Sequence, residues 1–176
     1  MTWWRATAYL GLFIGLTAYY VASEPGSGGS APATPPPHAF LGVTSASVRT
    51  VSVQRGAVTL EAVRDGERWR VERPANVHVP SDLVAALVEQ LAELPAVEVV
   101  DEHGESAAQF GLEPPEAHVT FMLADGRSVG VALGARNPAQ TAAYGRVDGT
   151  TRVVLLGLNV LYYENLLTQA ARPSNG

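Results

Sequence analysis

An α+β fold of antiparallel β-meanders with two covering helices, preceded by one transmembrane helix, is predicted by three features of the sequence. Period-two alternation recurs in short segments divided by turn signals, as in VRTVSVQ, AVTLEAVRD and RWRVERP. Two apolar-striped segments, 81–94 and 160–171, each follow a run of such strands and are stopped by Pro95 and Pro173. Between Ala6 and Ala22 there are 17 residues without a charge, about 25 Å of helix and close to the hydrocarbon thickness of a bilayer. Because strands followed by a helix occur twice, the domain reads as two similar β-β-β-α halves.

The first element, residues 1–23, carries Trp3-Trp4 and Tyr19-Tyr20 at its two ends, where interfacial aromatic belts belong. A cleavable signal peptide is the alternative, but a cut after Ala22 would place Tyr20 at a position that needs a small residue. A retained anchor is therefore expected. Arg5 is the only basic residue near it, and Glu24 flanks the far end. The positive-inside rule puts the N-terminus in the cytoplasm and the C-terminal domain outside, on the cytoplasmic (inner) membrane. Residues 24–38 follow as a linker, EPGSGGSAPATPPPH, too rich in Pro, Gly and Ser for helix or paired strand. The folded domain is expected over 39–172, with 173–176 as a tail.

Within the domain, Arg55-Gly56 and Asp65-Gly66 separate the first three strands, and Trp69 is expected in the core. Ser81 is expected to cap a helix whose stripe is Leu83, Val84, Leu87, Val88, Leu91 and Leu94. VEVVDE reads as a strand and ESAAQFGL as a short helical turn ending at Gly111. HVTFMLAD and SVGVALG pair around Asp125-Gly126, and AYGRVD and RVVLLG follow a loop. Asn159 is expected to cap the last helix, with Val160, Leu161, Leu166, Leu167 and Ala170 buried.

Composition excludes several kinds of chemistry. The chain has no cysteine, so no thiolate nucleophile, thiolate zinc site or disulfide, and its 12 basic residues are all Arg. Without lysine there is no Schiff base and no P-loop lysine. A net charge of −5 argues against nucleic acid as a partner, which calls for a concentrated basic face. His38, His78, His103 and His118 show no i, i+3 or i+4 pairing for a metal. His103 with Asp101 and Glu105 reads as an exposed acidic turn before it reads as a metal site. No Gly-x-Ser-x-Gly elbow occurs. No catalytic residue and no cofactor is expected, and the chain reads as no enzyme.

The most interesting surface is the loop from Gly134 to Tyr144, long for a connection between paired strands. Arg136, Asn137, Gln140, Thr141 and Tyr144 form a candidate interaction loop whose donors and acceptors suit a peptide backbone or glycan. Alternatively, Asn137-Pro138 simply makes a capped turn.

Trp69 and Pro74, the Leu/Val helix from Ser81 to Leu94, Phe110-Gly111-Leu112, Pro115, Asp125-Gly126, Gly134, Asn137 and Tyr144 form an ordered set. Their order and spacing resemble the uncharacterised domain-of-unknown-function family 4340 (DUF4340), over about residues 46–172. The resemblance implies a membrane-anchored extracytoplasmic protein linked to ABC-type export systems of the gliding-motility kind, with no catalytic residues to carry over. The expected function is a non-catalytic accessory or binding module whose partner is a membrane protein such as a transporter component. The alternatives are an envelope hydrolase acting on glycan or peptide through carboxylates, and a ligand-presenting binding module.

Overall fold

The structure, a computed structural model, describes residues 40–75, 77–95 and 97–172. The expected anchor, linker and tail lie outside the described residues, among which no helix is long and apolar enough to cross a membrane. The fold is α+β. Strands β1 (Val48–Arg55), β2 (Val58–Asp65) and β3 (Arg68–Arg73) form a meander, followed by helix α1 (Ser81–Ala92) and a short β4 (Val99–Asp101). A second meander, β5 (Ala117–Leu123), β6 (Ser128–Arg136), β7 (Ala142–Val147) and β8 (Val153–Gly157), leads directly into α2 (Leu158–Ala170).

The two meanders share one antiparallel sheet of order β3-β2-β1-β5-β6-β7-β8-β4. They join along β1 and β5, where Val51 faces Phe121 and Val53 faces Val119. The halves are therefore less alike than the expected β-β-β-α pair. The second has four strands of its own, and β4, from the stretch between the halves, pairs with β8 at the far edge. Gly56 and Gly66 take positive φ at the first two hairpins, the conformation those tight turns require.

One sheet face carries the main core. Val51, Val53, Leu60, Phe121, Val131 and Leu133 meet the inward residues of both helices, and each such side chain contributes about 1.5–3 kcal/mol by leaving water. Trp69 is in this core as expected, only 5% exposed, and the Arg64 guanidinium lies 4.8 Å over its ring. Burial at that spot lowers the Arg64 pKa from its ordinary value.

The opposite face is covered only in part. The segment between β4 and β5 lays Ala107, Phe110 and Leu112 against Ala132, Tyr144 and Val153 from the backs of β6, β7 and β8. Its start is fixed by Asp101, whose carboxylate accepts the backbone N–H groups of Ser106, His103 and Gly104. Those bonds, Ser106's foremost, hold the Asp101 carboxyl below the usual range. Its far end is fixed by Glu116 N–H donating to the Leu133 carbonyl at 2.9 Å. Gly134 lies beneath the Phe110 carbonyl, where a Cβ would overlap it.

Several local expectations are corrected. Ser81 is not the cap of α1: Pro80 holds that position, and the Ser81 hydroxyl accepts the Trp69 N–H at 2.7 Å, tying the helix to β3. Asn159 does not cap α2, which starts two residues earlier than expected, at Leu158, with Gly157 at the cap position. Of the expected buried face of α2, Leu166 and Ala170 are only half-buried. Glu164 and Thr168 take their places inside, beside Val160, Leu161 and Leu167.

Candidate functional site

The loop from Gly134 to Tyr144 is shorter than its sequence suggests. Strand β6 continues to Arg136, which pairs with Ala143, leaving Asn137 to Thr141 as the connection. Asn137 organises it. Its Oδ1 accepts the N–H groups of Thr141 (2.9 Å) and Ala142 (3.1 Å), and its Nδ2 donates to Thr141 Oγ1 (3.2 Å). Gln140, at φ +58°, donates both its backbone N–H and its side-chain Nε2 to the Asn137 carbonyl. The polar groups of the candidate loop thus satisfy one another, as a capped turn does. Tyr144 is separated from them. It sits in β7 on the other sheet face, stacked on Phe110 with ring centroids 4.4 Å apart.

Arg136 alone of the five reaches a groove. It lies exposed at the rim of the helix-covered face, beside α2, and a groove of about 420 Å3 runs from it along that helix. The floor is Leu158, Leu161 and Leu166, the wall is Tyr162, and the polar rim is Asn159, Asn165 and Gln169. Tyr162 is 59% exposed, the most exposed large apolar side chain among the described residues, with its ring packed edge-on against Tyr163 at 5.4 Å. Leu158, Tyr162 and Leu166 follow one another at i, i+4 and i+8, so they form a single ridge on the outer side of the helix. Tyr162 is exposed at its crest, and Leu158 and Leu166 are half-buried, Leu158 also touching the main core. No carboxylate lines the groove, and among the described residues no ion pair includes Arg136.

Behind the ridge, α2 is held by charge. Glu164 is wholly buried and accepts the Arg55 guanidinium from the end of β1 in a fork, Nε to Oε1 at 2.9 Å and Nη2 to Oε2 at 2.5 Å. Glu116 approaches the same guanidinium at 3.8 Å. The Glu164 hydrogen bond foremost raises the Arg55 pKa, against the opposing effect of burial. Two carboxylates therefore converge on one guanidinium, but only one of them is accessible. Glu164 is shut beneath Arg55, whereas Glu116 lines a shallow pocket of about 340 Å3 with Gln54, Pro115 and His118.

A second polar row crosses the open part of the other sheet face. His118 Nε2 lies 3.0 Å from Asp148 Oδ1, and Thr120 Oγ1 lies 3.2 Å from His118 Nδ1. Gly130 on the strand between them leaves the space that the pair occupies. Hydroxyl, imidazole and carboxylate are the residue types of a nucleophile relay. Here, however, β5 is bonded on both sides by β1 and β6, so its N–H groups are taken up by the sheet and none is left for a developing oxyanion. The row braces three strands. Among the described residues, no group of three or more His, Asp or Glu side chains could hold a metal ion, and Asp101 uses its carboxylate on its own turn.

The sequence reading missed Arg55, Glu164, Tyr162 and the amides of α2. A signal for the ridge was present. Leu158, Val160, Leu161, Tyr162, Leu166 and Leu167 are more apolar residues than one helix face can bury, so a second stripe had to point outward.

Compared with known proteins, residues 69–171 match the family model described as a domain of unknown function (DUF4340). No curated protein matches the chain, and no solved structure matches it.

Proposed function

The chain belongs to the DUF4340 family of unknown function, and on that footing we propose that it is a single-pass, membrane-anchored accessory module. Its extracytoplasmic domain binds a membrane-protein partner in an ABC-type transport or envelope assembly, and performs no catalysis itself. The observation that carries this reading is the outward ridge of α2. A helix that has already buried Val160, Leu161 and Leu167 still presents Leu158, Tyr162 and Leu166 beside a groove. Exposed Tyr next to aliphatic side chains and amides is the composition of a contact surface.

The sequence supplies the setting. The charge-free run at 6–22 acts as the anchor, with Arg5 on the cytoplasmic side, and the 24–38 spacer lets the domain reach its partner. Edge strands are the other contacts such a module offers. The β3 edge is studded with Arg68, Arg70, Glu72 and Arg73, whereas β4 leaves Val99 and Val100 exposed.

In-membrane photocrosslinking of the full chain tests the reading. Photoreactive residues at Tyr162 and Gln140 are expected to capture one membrane protein that a probe at Arg68, on the far edge, does not. Equal capture from all three positions, or a chain that remains a lone monomer in several mild detergents and crosslinks nothing, overturns it.

A further inference from the structure

Resting on the docking reading above, we infer that the α2 groove takes a short acidic segment of a partner protein, with a carboxylate on Arg136 and apolar side chains on the Leu158–Tyr162–Leu166 ridge. Charge selects this occupant. The chain as a whole is acidic, with 17 Asp and Glu against 12 Arg, yet the groove is lined by one guanidinium, three amides and no carboxylate. Glu164, the one acidic residue within α2, is turned inward onto Arg55. The groove is a locally cationic site on an anionic protein, which attracts acidic partners and repels none at close range.

The rim agrees with a polypeptide. Gln169 Nε2 donates to Asn165 Oδ1, which orients the two amides and leaves Asn165 Nδ2 as a donor and Gln169 Oε1 as an acceptor beside Asn159, the combination that a peptide backbone needs. About 420 Å3 is room for a few side chains, at the small end of binding sites. A lipid surface fits less well. Anionic membranes are held by clusters of roughly 4–8 basic residues, and Arg136 stands alone in this groove on a chain of net charge −5. A second copy packed ridge to ridge fits less well too, because the ridge contains no carboxylate to meet Arg136.

The test uses the full chain in phosphatidylcholine nanodiscs, panned against phage-displayed random dodecapeptides, with the enriched peptides then synthesised and titrated. The expected result is enrichment of Asp or Glu next to Leu, Phe or Tyr. Affinity should fall about tenfold for Arg136→Gln, the equivalent of one partly shielded charge pair, and by a similar factor for Tyr162→Ser. Gln140→Ala on the neighbouring turn should bind unchanged, and raised salt should weaken the wild type but not Arg136→Gln. Neutral or basic winners, no enrichment, equal binding to Arg136→Gln, or loss of the peptides when phosphatidylserine is added to the disc would each overturn the inference. The two readings fail separately. Crosslinking at Tyr162 without acidic-peptide binding leaves the docking module and removes the acidic segment. Acidic-peptide binding without a membrane partner does the reverse.

Discussion

Helix α1 turns Val84, Leu87, Val88 and Leu91 inward and leaves Asp82 and Glu89 to solvent, whereas α2 buries Glu164 and Thr168 and points Tyr162 outward. Both cover the same face of the same sheet, but different forces fix them. Burial holds α1, and burial is non-directional, so its rotation is set by stripe geometry alone. In α2 burial is ambiguous, since turning the helix would hide Tyr162 and Leu166 at the expense of other apolar residues. The forked bond from Arg55 to Glu164 removes the ambiguity, because Glu164 has its partner in only one orientation. The ion pair thus keeps the apolar ridge facing out. Buried pairs often add little net stability; here the pair supplies the choice of face.

The contrast is broken most forcefully in the core. Leu87→Ala in α1 should cost about 3 kcal/mol, the usual loss for a fully buried leucine, read from denaturant unfolding. Glu164→Ala should cost about 2–3 kcal/mol, less than for a fully buried pair, because the Arg55 side chain is 27% exposed and regains water. The double change Arg55→Met with Glu164→Leu should return to within about 1 kcal/mol of wild type. It should nonetheless alter the environment of Tyr162, measured by fluorescence quenching, since nothing directional then sets the rotation of α2. A double variant with wild-type stability and wild-type Tyr162 quenching would mean that the ridge faces outward without help from the pair.

These two helices also mark where the sequence was readable. The α1 stripe, the Trp69 core position and the turns at Gly56, Gly66 and Gly126 follow from periodicity and local backbone chemistry, so they were visible in one dimension. The strands of both meanders were visible for the same reason. Glu164 was not, because a carboxylate on a helix looks solvent-facing until its partner is known, and Arg55 lies 109 residues away. The place of β4 beside β8 was hidden likewise, since edge pairing across the chain leaves no local pattern. The candidate loop misled through length: Arg136 and Ala142 carry no mark that the ladder extends to them, and Asn137 closes the remaining turn with its own side chain.

A smaller effect sharpens the account of α1. Ser81→Ala should cost about 1 kcal/mol, a loss that a capping serine would also give. The location of the damage separates the two roles. Ser81 Oγ accepts the Trp69 N–H, so hydrogen exchange at the Trp69 amide should accelerate while the first turn of α1 stays as protected as before. Fraying of that turn with Trp69 unaffected would restore the cap.

The smallest expected stability effect belongs to Tyr162, whose loss is expected to weaken binding as much as the loss of the Arg136 charge. Tyr162 is mostly exposed, touches Tyr163 edge-on and contributes nothing to the main core, so Tyr162→Ser should change unfolding free energy by no more than about 0.5 kcal/mol. An apolar side chain kept at the surface merely by tolerance behaves this way, and so does one reserved for a partner. Crosslinking from Gln140, one turn of chain away from Arg136, distinguishes them. If the ridge is a contact surface, Tyr162→Ser abolishes that capture in a protein as stable as wild type. A Tyr162→Ser variant destabilised by 2 kcal/mol or more would instead place Tyr162 in the packing of α2, and would make the outward face of that helix a structural one like the outward face of α1.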